Sequence, residues 1–382
     1  MSTIINARSP YYIKIEPADP LDELSYAVIN IYIYSGTFTT DKPASPTYAI
    51  NQNVFLGQNY TILEISELIR DYLYTEYFTL AIDGVWVELD YTLYDVFDAS
   101  LNTGSLDYLS FDGLGYFNEG VNPRKSIDPT DESYTPMVLQ SNQTIYFVKG
   151  RDVRIPLFSE VEPTATSTID IGVWNAVDMY WENTDVTWEY VSIPIPISDT
   201  TNSLDKINYL IIESDYISTG DTVTIQSTTG PSQTIVLTFV EYCEPKYEPY
   251  RIIFYNKFGA LQDVWATKRS NIQTSTTDES YNTSLMNFSG TPNYSIYKHS
   301  KKRFNVKANQ SITLNTDFVV EGMNEPIEQM LMSEQIWIEN ETETIPVILK
   351  SKSLNRKTIV NDKLIQYTFD FDYAFDTIQN IR

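Results

Sequence analysis

The chain has 382 residues, 42 % of them hydrophobic, and a formal net charge of −25. That length and apolar content suit two or three folded domains and exclude a disordered chain. A single cysteine, Cys243, and a single histidine, His299, exclude an intramolecular disulfide framework, a Cys-rich zinc site and paired-histidine metal sites.

Tyrosine is abundant, with 29 copies against only 14 glycines. With the many Thr, Ile and Val residues it favours pleated, half-buried surfaces, and it suits protein contacts because it joins a large apolar area to a polar tip. The charge is unevenly spread. Residues 251–382 hold 15 basic and 15 acidic side chains, so residues 1–250 hold 11 and 36 and carry the whole net charge. A field of that sign repels phosphate backbones and anionic lipid, which argues against nucleic-acid and membrane partners. The start, Met1–Pro17, lacks the basic and apolar regions of a secretory signal. No run approaches the ~20 apolar residues of a membrane span. The expectation is a protein made in a cytoplasm, without membrane insertion.

In chain order, residues 11–16 and 25–34 read as strands, the second with Ala27, Ile29, Ile31 and Ile33 on one face. Residues 62–74 read as an amphipathic helix, with Ile62, Ile65, Leu68, Ile69, Tyr72 and Leu73 at helical spacing. Residues 78–94 read as a hairpin turning at Asp83-Gly84. Residues 98–136, broken by Gly and Pro, read as a long excursion loop. Strands are expected at 144–148, 152–158, 191–197 and 208–214, and a hairpin from 221–226 and 233–241 around a Gly-Pro turn. Residues 273–293 read as a polar loop. Further strands are expected at 294–298, 311–320, 336–339 and 345–350, with a short helix at 325–332 and an alternating strand at 364–375. The predicted fold is mainly β, with several β-sandwich or barrel-like modules and one or two short helices packed on sheets. The predicted domains are 1–140, 141–243 and 244–382.

The sequence contains no Walker phosphate loop, dinucleotide fingerprint or nucleophile elbow. His299 sits among Lys298, Lys301, Lys302 and Arg303 and reads as a surface histidine. Cys243 reads as a small apolar residue. Asp370 and Asp372 share a strand face and read as a solvated surface rather than a glycosidase pair. Asp128–Glu132 lacks the spacing of a calcium loop. No catalytic, cofactor-binding or metal site is therefore predicted, and the chain reads as a non-enzyme. The basic run at 298–303 suggests a contact with the acidic region of a neighbouring copy, a head-to-tail association of the ring-building kind.

Five segments carry a resemblance. They are Glu67–Leu73 (ELIRDYL), Gly115–Gly120 (GYFNEG), Cys243–Asp263 (CEPKYEPY to KFGALQD), Lys302–Thr316 (KRFNV to SITLNT) and Ile327–Glu339 (IEQMLMSEQIWIE). Their order resembles that in structural proteins of tailed bacteriophages, particularly those of Bacteroidetes-like hosts. The resemblance implies a virion component of the tail or baseplate, such as a distal-tail or collar-like ring. It also implies homo-oligomerisation, contacts with other tail and baseplate proteins, and assembly in the host cytoplasm. It brings no site residues and no cofactors. Two alternatives stand beside it: a carbohydrate- or receptor-binding module using Trp174, Trp181 and Trp188, and a β-rich glycan hydrolase. From Glu244 to Gly259 the sequence reads as a proline-stiffened joint opening the C-terminal domain.

Overall fold

The computed structural model describes residues 3–20, 22–55, 57–73, 82–120, 122, 137–158, 168–170, 192–194, 206–225, 235–242, 246–284, 286–287, 293–351 and 365–375. The fold is mainly β, built of several multi-stranded sheets with two α-helices among the described residues. The chain forms two compact units. One comprises Met1–Glu244, Phe254–Asp263 and Glu325–Ser333; the other comprises Pro245–Ile253, Val264–Asn324 and Glu334–Arg382.

The first unit opens with a five-stranded sheet. Its strands lie in the order Thr3–Asn6, Ser100–Phe111, Val85–Tyr94, Tyr26–Tyr34 and Tyr48–Asn53. The outermost pair, Thr3–Asn6 with Tyr108–Phe111, is parallel, and the other pairings are antiparallel. The alternation expected at 26–34 holds: Ala27, Ile29, Ile31 and Ile33 are buried. They share a core with Val85, Val87, Leu89 and Leu93. A two-stranded ribbon, Tyr12–Ile15 with Thr61–Glu64, contributes Ile13, Ile15 and Leu63 to the same core, and the short helix Ser66–Arg70 adds Ile69.

Three readings of this region are corrected. The segment at 62–74 is a strand followed by a five-residue helix, not one helix. Ile62 and Tyr72 are exposed, whereas Leu63, Ile65, Ile69 and Leu73 are buried. The apolar period changes from two to four at Ile65, and helical spacing alone cannot register that change. Asp83-Gly84 is not a hairpin turn. Ile82–Asp83 pairs with Lys206–Ile207, whereas Val85–Tyr94 pairs with the two strands beside it in the five-stranded sheet. Gly84 is thus a junction between sheets. Residues 78–81 of the expected hairpin lie outside the described residues.

Nor is 98–136 a loop throughout, because Ser100–Phe111 is a twelve-residue interior strand. Its Gly104 is a contact glycine. A Cβ there would stand 2.5 Å from the Tyr91 hydroxyl and 2.6 Å from its Cζ, so the Tyr91 ring fills the side-chain space. Residues 121 and 123–136 lie outside the described residues.

On the other face of this sheet, Glu88 stands directly opposite Asp107 and Tyr32. Like charges facing each other across strands destabilise the pair unless a cation intervenes. Lys42 supplies it, with Nζ 2.8 Å from Glu88 and 3.1 Å from Asp90, while the Tyr34 hydroxyl donates to Glu88. Burial lowers the Lys42 pKa, but the bonds to Glu88 and Asp90 outweigh it and leave the ammonium above its ordinary value. Its stabilisation is therefore present up to ordinary lysine pH and is lost only on further alkalinisation. Asp107 receives no such bond. Burial, and then the charge of Glu88, raise its carboxyl above the ordinary range. A raised carboxylate costs stability at neutral pH, and the cost disappears below the ordinary carboxylate pKa. Asp107→Asn is therefore expected to stabilise the fold at pH 7 by under about 1 kcal/mol, a partly exposed charge effect. In urea titrations the gain should vanish as the pH approaches about 3.5.

Further along the first unit, Val153–Phe158 pairs with Lys206–Ile212, and Thr222–Ile225 with Ile235–Glu241, as expected for strands and a hairpin. Thr144–Phe147 joins Thr238–Glu241 in parallel. Phe147, Ile155, Leu237 and Phe239 form a second core there.

A seven-stranded sheet holds most of the described strands of the second unit. Its order is Leu261–Ala266, Tyr250–Tyr255, Ile336–Glu339, Thr344–Leu349, Thr368–Tyr373, Lys301–Asn315 and Asn271–Asn282. The aromatic face predicted for the last strand is buried at Tyr367, Phe369 and Phe371, although Phe375 is exposed. The helix Asn324–Met332, which belongs to the first unit from Glu325 on, matches its prediction. The expected polar loop at 273–293 is corrected: Asn271–Asn282 is a twelve-residue strand in which every residue is exposed.

Candidate functional site

Three of the segments singled out in the sequence converge within the first unit, on Lys257. The turn Asn256–Ala260 closes through the Asn256 amide bonding the Ala260 carbonyl at 2.8 Å, and the Asn256 side chain accepts from the Phe258 and Ala260 amides. The Lys257 carbonyl accepts from the Leu114 amide at 2.8 Å, and its amide donates to Gln329 at 3.1 Å. Its ammonium lies 3.4 Å from Glu119 and 3.5 Å from Glu325. Segments 113–119, 256–260 and 325–329 are therefore stitched together by both the backbone and the side chain of Lys257. Asn256 and Gln262 extend the network to Leu139, Ser141 and Asn142. Two glycines permit the closest approach. A Cβ at Gly113 would stand 2.8 Å from the Lys257 carbonyl oxygen, and one at Gly259 would stand 2.9 Å from the Asp112 carbonyl carbon. Backbone hydrogen bonds and side-chain ion pairs together hold these three segments in place.

In the second unit, Arg251 is buried to 1 % exposure. Its guanidinium lies 4.6 Å from the centre of the Trp265 ring, and its Nη1 lies 3.5 Å from the Glu339 carboxylate. This places a buried cation between an aromatic face and an acid.

The arm formed by Asn271–Asn282 and Lys301–Asn315 is of another kind. These strands pair from Asn271–Thr313 out to Asn282–Lys301. Only Ser311–Asn315 also pairs with the Thr368–Tyr373 strand, so beyond Ser311 the arm is a two-stranded ribbon. A bulge between Thr277 and Glu279 bends it, with Asn305 at φ +50 and Arg303 bonded to Asp278 at 2.9 Å. The ribbon continues through Thr283, whose amide donates to the Ser300 carbonyl, to a small terminal hairpin, Met286–Asn287 with Asn293–Tyr294. Isolated two-stranded ribbons are marginal in water, and this one carries its own reinforcement in an edge-on Tyr281–Phe304 contact. Its tip exposes Tyr294, Ile296 and Tyr297, the last to 89 %.

The basic run lies on this arm, with Lys298, His299, Lys301, Lys302 and Arg303 all exposed. The Lys268 pair partner is Asp317, at 2.8 Å. Asp370 and Asp372 do share a strand face, the first exposed and the second half-buried, and are engaged with Thr313 and Lys350 respectively. Cys243, Asp128–Glu132 and the three tryptophans at 174, 181 and 188 lie outside the described residues. Among the described residues, no group of three or more His, Cys, Asp or Glu is placed to hold a metal ion. No described helix is long and apolar enough to cross a membrane. Sequence reasoning found the basic run but missed the arm that presents it, because a ribbon exposed on both faces has no apolar alternation to read. No protein-family model matches this chain, and no curated protein matches it.

Proposed function

We propose that this chain is a non-catalytic structural subunit that self-associates head to tail into a ring within the tail or baseplate of a tailed bacteriophage. The observation that carries the reading is the exposed arm. A solvated two-stranded ribbon with a large apolar tip gains stability by docking, and proteins that stay monomeric avoid long unprotected edges. The outer edge of Asn271–Thr277 carries no charge and no proline to guard it. The lopsided charge distribution supports a heterologous contact, a basic element of one copy against the acidic body of the next, and closing such contacts makes rings. The phage assignment rests on the resemblance of the five segments. Negative-stain imaging of the purified chain at low ionic strength is the test, with closed rings of uniform diameter as the expected result. A field of single subunits at high protein concentration would contradict it.

A further inference from the structure

Resting on that assembly reading, we propose that the arm tip docks on the Asp95–Asp98 turn of a second copy of this chain. The tip combines apolar and cationic character. Ile296 is 78 % and Tyr297 89 % exposed. Across residues 271–307 five basic side chains, Lys298, Lys301, Lys302, Arg303 and Lys307, face two acidic ones, Asp278 and Glu279, a net of +3. Its complement is an exposed apolar knob framed by carboxylates.

The turn between Val85–Tyr94 and Ser100–Phe111 has that character. It presents Phe97 at 86 % and Val96 at 61 % exposure, between Asp95 and Asp98. The knob is also held rigidly. Asp95 Oδ1 accepts from the Phe97 amide at 2.7 Å and the Ala99 amide at 2.8 Å, and the Asp95 amide donates to the Ala99 carbonyl at 3.0 Å. Asp98 takes a left-handed conformation, φ +60, and accepts from the Tyr26 hydroxyl. A preformed knob loses little conformational entropy on binding, so the burial of an aromatic ring against the tip is retained as affinity. The cations of the tip and the carboxylates of the turn fix orientation and speed encounter. Tip and turn are different surfaces, so the contact is heterologous and propagates from copy to copy.

Cysteine trapping tests the pairing directly. In a Cys243→Ser background, Phe97→Cys and Tyr297→Cys are made in separate chains, mixed at low ionic strength and mildly oxidised. The mixture should give the 97–297 heterodimer well above either homodimer, and the signal should fall as salt is added. In parallel, Phe97→Ser should weaken self-association by at least about tenfold, as expected for loss of an aromatic anchor. If the unmodified chain assembles but the heterodimer does not exceed the homodimers, or Phe97→Ser assembles normally, this docking is wrong and the assembly reading stands. If the unmodified chain does not assemble at all, both fall.

Discussion

Arg251→Ala is expected to cost about 3–5 kcal/mol of stability, the loss seen when one partner of a buried ion pair is removed. The side chain is 1 % exposed, and its removal leaves Glu339, 14 % exposed, facing a void beside Trp265. Loss of the cation beside the buried carboxylate and the cavity act in the same direction. Arg251→Lys should recover only part of the loss, because an ammonium lacks the flat guanidinium face that lies over the indole. Arg251→Met combined with Glu339→Gln should be less destabilised than Arg251→Ala, since no charge of the pair is then buried and the methionine fills part of the cavity. Urea unfolding at neutral pH gives these differences. A single-mutant cost below about 1 kcal/mol, the level of an exposed pair, would show that the cation is not needed where it lies.

Gly259→Ala should be the second damaging change, for a different reason. Gly259 adopts φ +75, and an alanine there pays about 1–2 kcal/mol for the left-handed conformation alone. Its methyl would also lie within 3.0 Å of three Asp112 and Gly113 backbone atoms, which cannot yield as a flexible side chain can. Overpacking of this kind adds about 1–3 kcal/mol. Gly150→Ala is the control. That glycine has φ +80 but nothing within 4 Å of the added methyl, so only the conformational part should appear. Equal losses at the two positions in thermal or urea unfolding would mean that the close approach of Gly259 to the Asp112–Gly113 backbone contributes nothing.

Much of the strand content was legible from periodicity. Tyr26–Tyr34 and Thr368–Tyr373 bury alternate residues as their sequences require, and Thr222–Ile225 pairs with Ile235–Glu241 as the hairpin reading expects. Misreadings arose where local signals carry non-local causes. Asp83-Gly84 has turn chemistry, yet Ile82–Asp83 finds its partner at Lys206–Ile207, more than a hundred residues away. Gly104 suggested a loop, but it is a strand position emptied for the Tyr91 ring. That Glu244–Gly259 is a special segment was visible in its composition, with its two Glu-Pro pairs and aromatic–Gly turn. Its physical basis was not, because the partners of Lys257 come from residues 114–119 and 325–329. The candidate interface was half legible: the sequence shows its charge, and only the pairing of Asn271–Asn282 with Lys301–Asn315 shows that this charge sits on an arm.

Self-association through that arm is the central claim. Light scattering coupled to size exclusion, with the unmodified chain and Lys301→Glu/Lys302→Glu run at low ionic strength and at about 1 M salt, tests it most directly. At about 1 M the Debye length is about 3 Å, so an exposed charge-steered contact is largely screened. The expected result is a defined multimer of the unmodified chain at low salt, smaller species at high salt, and loss of the multimer in the charge-reversed variant. A mass unchanged by salt and by charge reversal would contradict it.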